Sequence, residues 1–248
     1  MARIILKNIN LSFPIIGTDI YIRGKIINKF IGGKIEENKK KISIKALDNI
    51  TLQLNDGDRI GLVGHNGAGK STFLSLLAGI YWPDSGDIKI EGKIQNLFDP
   101  NLGLEPEESG YKNILKIGLM HGFKKKDIIN KYQKIIDDTN LGDYIHLPVR
   151  TYSSGMRLRL GFSVVSSLSP EILLLDEMIG VGDKNFQEFA KKKMNEIIDN
   201  ASILVLASHS NKIIEQFCNR VILLVNGKII KDGSPMEILD YYQNNGIQ

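Results

Sequence analysis

The hydrophobic positions of the chain form short apolar runs separated by stretches with helical periodicity. Residues 59–64 and 171–177 are continuous apolar runs, of the kind buried on both faces of a parallel sheet, and 202–209 and 220–225 continue the series. Residues 50–54 alternate with a period of two. The intervening stretches predict helices at 70–78, 113–120, 126–137, 154–166, 184–199 and 211–217. Strands that alternate with helices predict an α/β fold.

Two turn signals lie near the end of the chain. Asn226 and Gly227 separate two apolar runs and predict a tight β-hairpin. Ser234, Pro235 and Glu237 have the spacing of a capped helix start, so a final helix is predicted to begin there.

Composition places the chain among globular proteins. It has 248 residues, 42% hydrophobic content and one cysteine, so a core can form without disulfides or a metal. Cys218 cannot form an internal disulfide, which fits a reducing compartment. No uncharged stretch reaches the roughly 18 residues of a membrane span, and the first ten residues do not resemble a secretory signal. These features predict a soluble, cytoplasmic protein.

Positive charge is concentrated in one early segment, residues 20–45. This segment contains eight Lys and Arg residues and two Glu residues, a net charge of +6. The whole chain has a net charge of +4, so the remaining residues sum to −2. The first half mixes isoleucines with Arg23, Lys25 and Lys29, which is typical of a short basic amphipathic helix on a membrane surface or a membrane partner. A solvated loop joining two strands is the alternative.

Residues 64–72, GHNGAGKST, carry the strongest chemical signal. They match G-x-x-x-x-G-K-[ST] between a predicted strand and a predicted helix, the pattern of a phosphate-binding loop. Its glycines let backbone N–H groups and the helix N-terminus face phosphate oxygens. Lys70 is predicted to reach the β- and γ-phosphates, and the Ser71 hydroxyl to ligate Mg²⁺. The predicted ATP contacts are Gly64, Asn66, Gly67, Ala68, Gly69, Lys70, Ser71 and Thr72.

Two acids follow the apolar strand that begins near residue 171. Carboxylates at a buried strand end need pairing, hydration or a metal, so Asp176 is predicted to hold Mg²⁺. Glu177 can accept the proton of an attacking water as general base.

The phosphate-binding loop, the Asp176-Glu177 pair and His209 after the next strand together resemble the ATP-binding cassette (ABC) ATPases. Tyr152-Ser153-Ser154-Gly155-Met156 stands where that family has its LSGGQ signature and keeps the serine and second glycine. The resemblance implies an α/β P-loop cassette spanning 1–248, with a mixed central sheet, a small antiparallel β subdomain and a helical subdomain at about 95–165. It also implies a homodimer that sandwiches two ATP molecules.

The same resemblance implies roles for individual residues. His209 matches the switch histidine that senses the γ-phosphate, and Ser153, Ser154, Gly155 and Asp183 match groups that face the partner chain's nucleotide. Phe13, with Tyr21 as second candidate, matches the aromatic that stacks on adenine. The usual glutamine near the metal is not recognisable: Gln95 comes too early, and Asp99 is taken in its place as a third Mg²⁺ ligand.

Within the family, the chain resembles the ATPase subunits that export O-antigen, capsule or teichoic-acid polysaccharides. The similarity covers essentially the whole chain and includes SFP near the start, the basic segment, LFDPNLGLEPEESGYKNI, YSSGM and GVGD. It implies a separate polytopic permease in two copies, a location on the cytoplasmic face of the inner membrane, and contact with the membrane surface through residues 20–45. Some relatives add a carbohydrate-binding domain, which this chain is expected to lack because the sequence ends at Gln248.

Two other functions compete with export of polysaccharide. A non-transport ABC ATPase acting on nucleic acid is disfavoured, because only 82 residues separate Lys70 from Ser153 and leave no coiled-coil arm. A regulatory module that hardly hydrolyses ATP fits the altered signature but not the intact Asp176-Glu177 pair. Among transporters, a different cargo is the remaining alternative, because the ATP site does not specify cargo.

Overall fold

The computed structural model describes residues 1–14, 34–38, 41–96, 103–168, 170–176 and 184–245. The chain divides into two compact units. The first comprises 1–94, 174–177 and 202–248, and the second comprises 95–173 and 178–201.

The first sheet has four described strands: β1 (Arg3–Pro14), β2 (Lys34–Asn38), β3 (Lys41–Asn55) and β5 (Ser85–Glu91). It is antiparallel, and the strand order is β2-β3-β1-β5. Strand β1 pairs with β3 through register shifts, and Asn8 takes a left-handed backbone angle at one of them, φ 51°. Such a bulge interrupts the alternation that marks a strand in a sequence.

The second sheet has six strands in the described part of the chain: β4 (Arg59–Val63), β6 (Ile94–Asn96), β7 (Ile172–Asp176), β8 (Ile203–Ala207), β9 (Arg220–Val225) and β10 (Lys228–Gly233). Their order is β10-β9-β4-β8-β7-β6. Strand β4 runs parallel to β8 and β9, whereas β9 and β10 are antiparallel, so the sheet is mixed. The five residues of β8 are all buried, as their continuous apolar sequence predicts.

Three helices belong to the first unit. They are α1 (Lys70–Leu77), α7 (Asn211–Phe217) and α8 (Pro235–Asn244). The predicted cap of the final helix is confirmed, because the Ser234 hydroxyl accepts a hydrogen bond from the Glu237 amide and Pro235 occupies the first turn.

The second unit is mainly helical. It contains α2 (Gly110–Met120), α3 (Lys125–Asn130), α4 (Tyr132–Thr139), α5 (Ser154–Ser167) and α6 (Lys184–Asn200), together with 3₁₀ helices at Gly142–His146 and Val149–Thr151. The fully buried Asn113 side chain binds the backbone of Glu105, Glu108 and Ser109, which fixes the loop before α2.

The single helix predicted at 126–137 is wrong. The chain forms α3 and α4 instead, and the break falls at Lys131, whose backbone leaves helical geometry at φ −105°, ψ 2°. The Lys131 ammonium donates to the Ser167 carbonyl at the end of α5, 2.6 Å away. This contact satisfies a helix C-terminal carbonyl that has no partner within α5.

The fold class predicted from the sequence is confirmed. A mixed central sheet, a small antiparallel sheet and a group of helices are all present in the described residues. No helix among these residues is both long enough and apolar enough to cross a bilayer.

Candidate active site

The phosphate-binding loop lies between β4 and α1. Gly64, Gly67 and Gly69 have φ values of 149°, 79° and 105°, in the region that side chains disfavour and glycine adopts freely. Gly69 is the N-cap of α1, so the loop leads directly into the positive end of a helix. This geometry is suited to binding an anion through backbone amides.

The Lys70 side chain turns back into this loop. It is 9% exposed, and its ammonium donates to the Gly64 carbonyl at 2.6 Å and the His65 carbonyl at 3.1 Å. The loop's own carbonyls therefore hold a buried positive charge. This charge would balance the negative charge of phosphate oxygens bound by the loop amides.

Sheet topology brings His209 to the same end of the sheet as the loop, and Asp176 ends another strand of this sheet. The loop follows β4, and His209 follows β8, its parallel neighbour, so both leave the sheet at the same edge. Asp176 ends β7, the strand after β8 in the sheet order, and is half-buried. Ligand sites of α/β proteins form at such carboxyl ends of strands.

Phe13 lies near the end of β1 and is half-exposed. Its ring meets the edge of the Tyr81 ring at a centroid distance of 5.0 Å and an interplanar angle of 71°. Tyr81 comes from the segment that follows α1, which Asp84 ties to β1 by accepting from the Ser12 amide at 2.6 Å. Sequence reasoning missed Tyr81, because no local pattern pairs aromatics 68 residues apart.

The predicted signature residues form the start of α5 in the second unit. The Ser153 hydroxyl accepts from the Met156 amide at 3.2 Å and thereby caps the helix. Ser153 and Ser154 are exposed, and a Cβ added to Gly155 would meet only Ser153 Oγ among the described atoms, at 3.9 Å. An exposed helix N-terminus of this kind suits a phosphate approaching from outside.

Gln95 is buried, and only its side-chain nitrogen has a hydrogen-bond partner among the described residues. It is 1% exposed, and its side-chain nitrogen donates to the Val165 carbonyl at 2.8 Å within the second unit. This bond ties Gln95 to α5, and the exclusion of Gln95 as a metal ligand remains a prediction from spacing.

Several predicted residues lie outside the described part of the chain: Glu177, Asp183, Asp99, Tyr21 and most of the basic segment 20–45. Within the described part, no group of three or more His, Cys, Asp or Glu side chains could hold a metal ion.

Burial makes the Cys218 thiol unreactive. Burial raises the pKa of the Cys218 thiol to about 12. A thiol with such a pKa is protonated at neutral pH and is a poor nucleophile, so Cys218 is a core residue.

These features define a P-loop nucleotide-binding protein. A glycine-rich loop joins a strand to a helix, and the lysine that begins the helix folds back into the loop. Comparison with known proteins gives the family: a family model described as ABC transporter matches residues 47–180, more than half of the chain. The chain therefore belongs to the ABC transporter family, as an ATP-binding subunit that hydrolyses ATP to drive transport.

Relatives match over most of the chain. The "O-antigen export system ATP-binding protein RfbE" of Yersinia enterocolitica is 44% identical over 96% of this chain and 100% of its own length. The "Teichoic acids export ATP-binding protein TagH" of Listeria monocytogenes serotype 4b (strain F2365) is 35% identical over 95% of this chain and 70% of its own length.

Solved structures agree in fold. "Structure of ATP binding subunit of ABC transporter" has a TM-score of 0.67 at 18% identity, covering 98% of this chain and 94% of that one.

Proposed function

We propose that this chain powers the export of a lipid-linked, O-antigen-like polysaccharide across the cytoplasmic membrane. The observation that carries the proposal is the match to the Yersinia O-antigen export protein, which extends over the full length of that relative at 44% identity. The phosphate-binding loop is common to all such ATPases, so it supports ATP hydrolysis but does not specify the cargo. The cargo is inferred from the relative.

The working form would be a homodimer bound to a polytopic permease, two copies of each, at the cytoplasmic face of the inner membrane. Each chain would act as one cassette domain, 1–248, with its helical subdomain at about 95–165. The net charge of +6 in residues 20–45 supports contact between this segment and anionic lipid.

Nucleotide binding would begin at the loop. Its amides, together with the Lys70 ammonium, would hold the β- and γ-phosphates, and Phe13 would stack on adenine. Ser153, Ser154, Gly155 and Asp183 of each chain would complete the site of the other chain.

Oxygen donors in the site fit Mg²⁺, a hard cation that prefers such ligands. The exposed Ser71 hydroxyl in the first turn of α1 and the half-buried Asp176 carboxylate would hold it, with Asp99 as the third predicted ligand. When bound, the ion would offset negative charge on the β- and γ-phosphates.

In the chemical step, the oxygen of a water molecule forms a bond to the γ-phosphorus while the bond from phosphorus to the ADP oxygen breaks. Glu177 would accept the proton of that water, and His209 would contact the γ-phosphate. Phosphate release would then allow the dimer to reopen and return the permease to its starting state.

A teichoic-acid cargo is the second candidate, because the Listeria relative is 35% identical over 95% of this chain. The two cargoes differ in the glycan attached to the lipid carrier, so one assay can compare them.

The test is ATP turnover in vesicles that contain the chain and its polytopic permease partner. We expect turnover to rise when O-antigen-like lipid-linked glycan is added and not with the same lipid lacking glycan. Stimulation only by a teichoic-acid precursor would support the second candidate, and no response to either would contradict polysaccharide export.

The basic segment has its own test in the same vesicles. Reversal of the charges at Lys25 and Lys29 should impair export while the isolated chain keeps its ATP turnover. Unchanged export would mean that the segment does not contact lipid.

A further inference from the structure

The back of the phosphate-binding loop rests on the turn between β9 and β10. The Gly227 amide donates to the Ala68 carbonyl of the loop at 2.9 Å. The Gly227 carbonyl accepts from the Asp48 amide of β3, also at 2.9 Å. Both backbone groups of one turn residue therefore bind, one to the loop and one to a strand of the other sheet.

This turn has no space for a larger residue. Asn226 and Gly227 have φ values of 49° and 76°, which is typical of a tight hairpin turn. A Cβ added to Gly227 would come within 2.5 Å of the Ala46 carbonyl oxygen. The same oxygen lies 2.8 Å from a Cβ added to Gly69 of the loop. Turn, strand and loop thus meet at backbone contact.

Charged side chains hold the turn against β3. The Asp48 carboxylate is 2.7 Å from the Lys45 ammonium and 3.2 Å from the Lys228 ammonium. Lys228 is the first residue of β10. Asp48 is only 14% exposed, and the hydrogen bond from Lys45 lowers the pKa of its carboxyl, with a further contribution from Lys228. The carboxylate is therefore charged at neutral pH and links the strand to the hairpin.

We propose that the β9–β10 turn positions the phosphate-binding loop, with Gly227 as the positioning residue and the Asp48–Lys228 pair holding the turn in place. The physical reason is that a glycine-rich loop has many accessible conformations, and only a loop already in the binding shape avoids an entropy cost when phosphate binds. A backbone bond to Ala68 and close packing behind Gly69 restrict the loop to that shape.

Two glycine variants separate positioning from backbone strain. Gly227→Ala places a side chain at positive φ and against Ala46, whereas Gly57→Ala places one at φ 89° with no described atom within 4 Å. ATP affinity and site number are measured by titration of the full chain, and thermal unfolding is followed in parallel. We expect Gly227→Ala to raise the dissociation constant about tenfold or more, and Gly57→Ala to leave it within about twofold.

A charge series covers the case in which Gly227→Ala does not fold. Asp48→Asn and Lys228→Gln are each expected to raise the ATP dissociation constant about two- to fivefold, with less than additive effects together. Lys228→Arg should preserve it. Asp232→Asn is the matched control, since it breaks the Arg220–Asp232 pair at the other end of the same hairpin, where the nitrogen–oxygen distance is 2.6 Å.

The titration distinguishes the outcomes. A merely structural role for the turn would lower the number of binding sites without changing the dissociation constant. That result, or an equal effect of Asp232→Asn, would overturn the inference. The inference rests on ATP binding by the loop, so a wild-type chain that binds no ATP would instead refute the proposed function.

Discussion

Replacement of Ser153 by alanine separates two roles of its hydroxyl. In the structure, the hydroxyl caps α5 by accepting from the Met156 amide at 3.2 Å. In the proposed dimer, it also donates to the γ-phosphate held by the other chain. Ser109 and Ser234 offer matched controls, because they cap α2 and α8 with bonds of 3.3 and 3.4 Å from Lys112 and Glu237.

The stability effect should be the same for all three serines. Loss of a serine cap costs about 1 kcal/mol. In a chain of this length, that loss lowers the unfolding midpoint by about 2–4 °C. Thermal unfolding without nucleotide measures this shared contribution.

The effect on turnover should be specific to Ser153. A hydrogen bond to a charged group contributes about 1.5–3 kcal/mol. Its loss corresponds to a roughly 10- to 150-fold decrease in turnover. Phosphate release at saturating ATP is the assay, and Ser109→Ala and Ser234→Ala should stay within about twofold of wild type at a temperature where all variants are folded. An equal decrease in all three variants, or no decrease in Ser153→Ala, would refute a phosphate-binding role for this serine.

Two further substitutions test the site, and one labelling experiment tests the core. Lys70→Met keeps a side chain of similar length but removes the charge enclosed by the loop. The rate of phosphate release should therefore fall by about 100-fold or more, while the midpoint of thermal unfolding changes little. Phe13→Ala removes the proposed adenine platform and should raise the ATP dissociation constant by roughly 5- to 150-fold in a binding titration, since stacking on a base contributes about 1–3 kcal/mol; an unchanged constant would assign adenine to another residue. Cys218, with its pKa raised to about 12 by burial, should resist iodoacetamide at pH 8 in the folded chain and react in denaturant, as measured by mass spectrometry, and rapid labelling of the folded chain would contradict that burial.

The part of the site that follows from local sequence could be predicted. The phosphate-binding loop is contiguous with β4 and α1, so one short motif specifies both its backbone shape and the position of Lys70. The apolar runs of β8 and β9 likewise identify strands because burial on both faces requires them.

Contacts between distant segments could not be predicted in the same way. The Asn226-Gly227 pair signals a turn, but nothing in the local sequence shows that this turn packs against Ala68. The helix breaks at Lys131, whose ammonium binds a carbonyl 36 residues away in α5. Strand β1 contains a bulge at Asn8, which interrupts the alternation of apolar and polar residues by which a strand is identified in a sequence.

The central claim is that this chain hydrolyses ATP within a dimer that closes around the nucleotide. The most direct measurement combines ATP turnover and oligomeric state for Glu177→Gln, which keeps the size of the side chain and removes the proposed base. We predict that the variant binds ATP, loses turnover by roughly 10²- to 10⁴-fold and becomes a stable dimer only when ATP is present. Turnover equal to that of the wild-type chain would contradict the account.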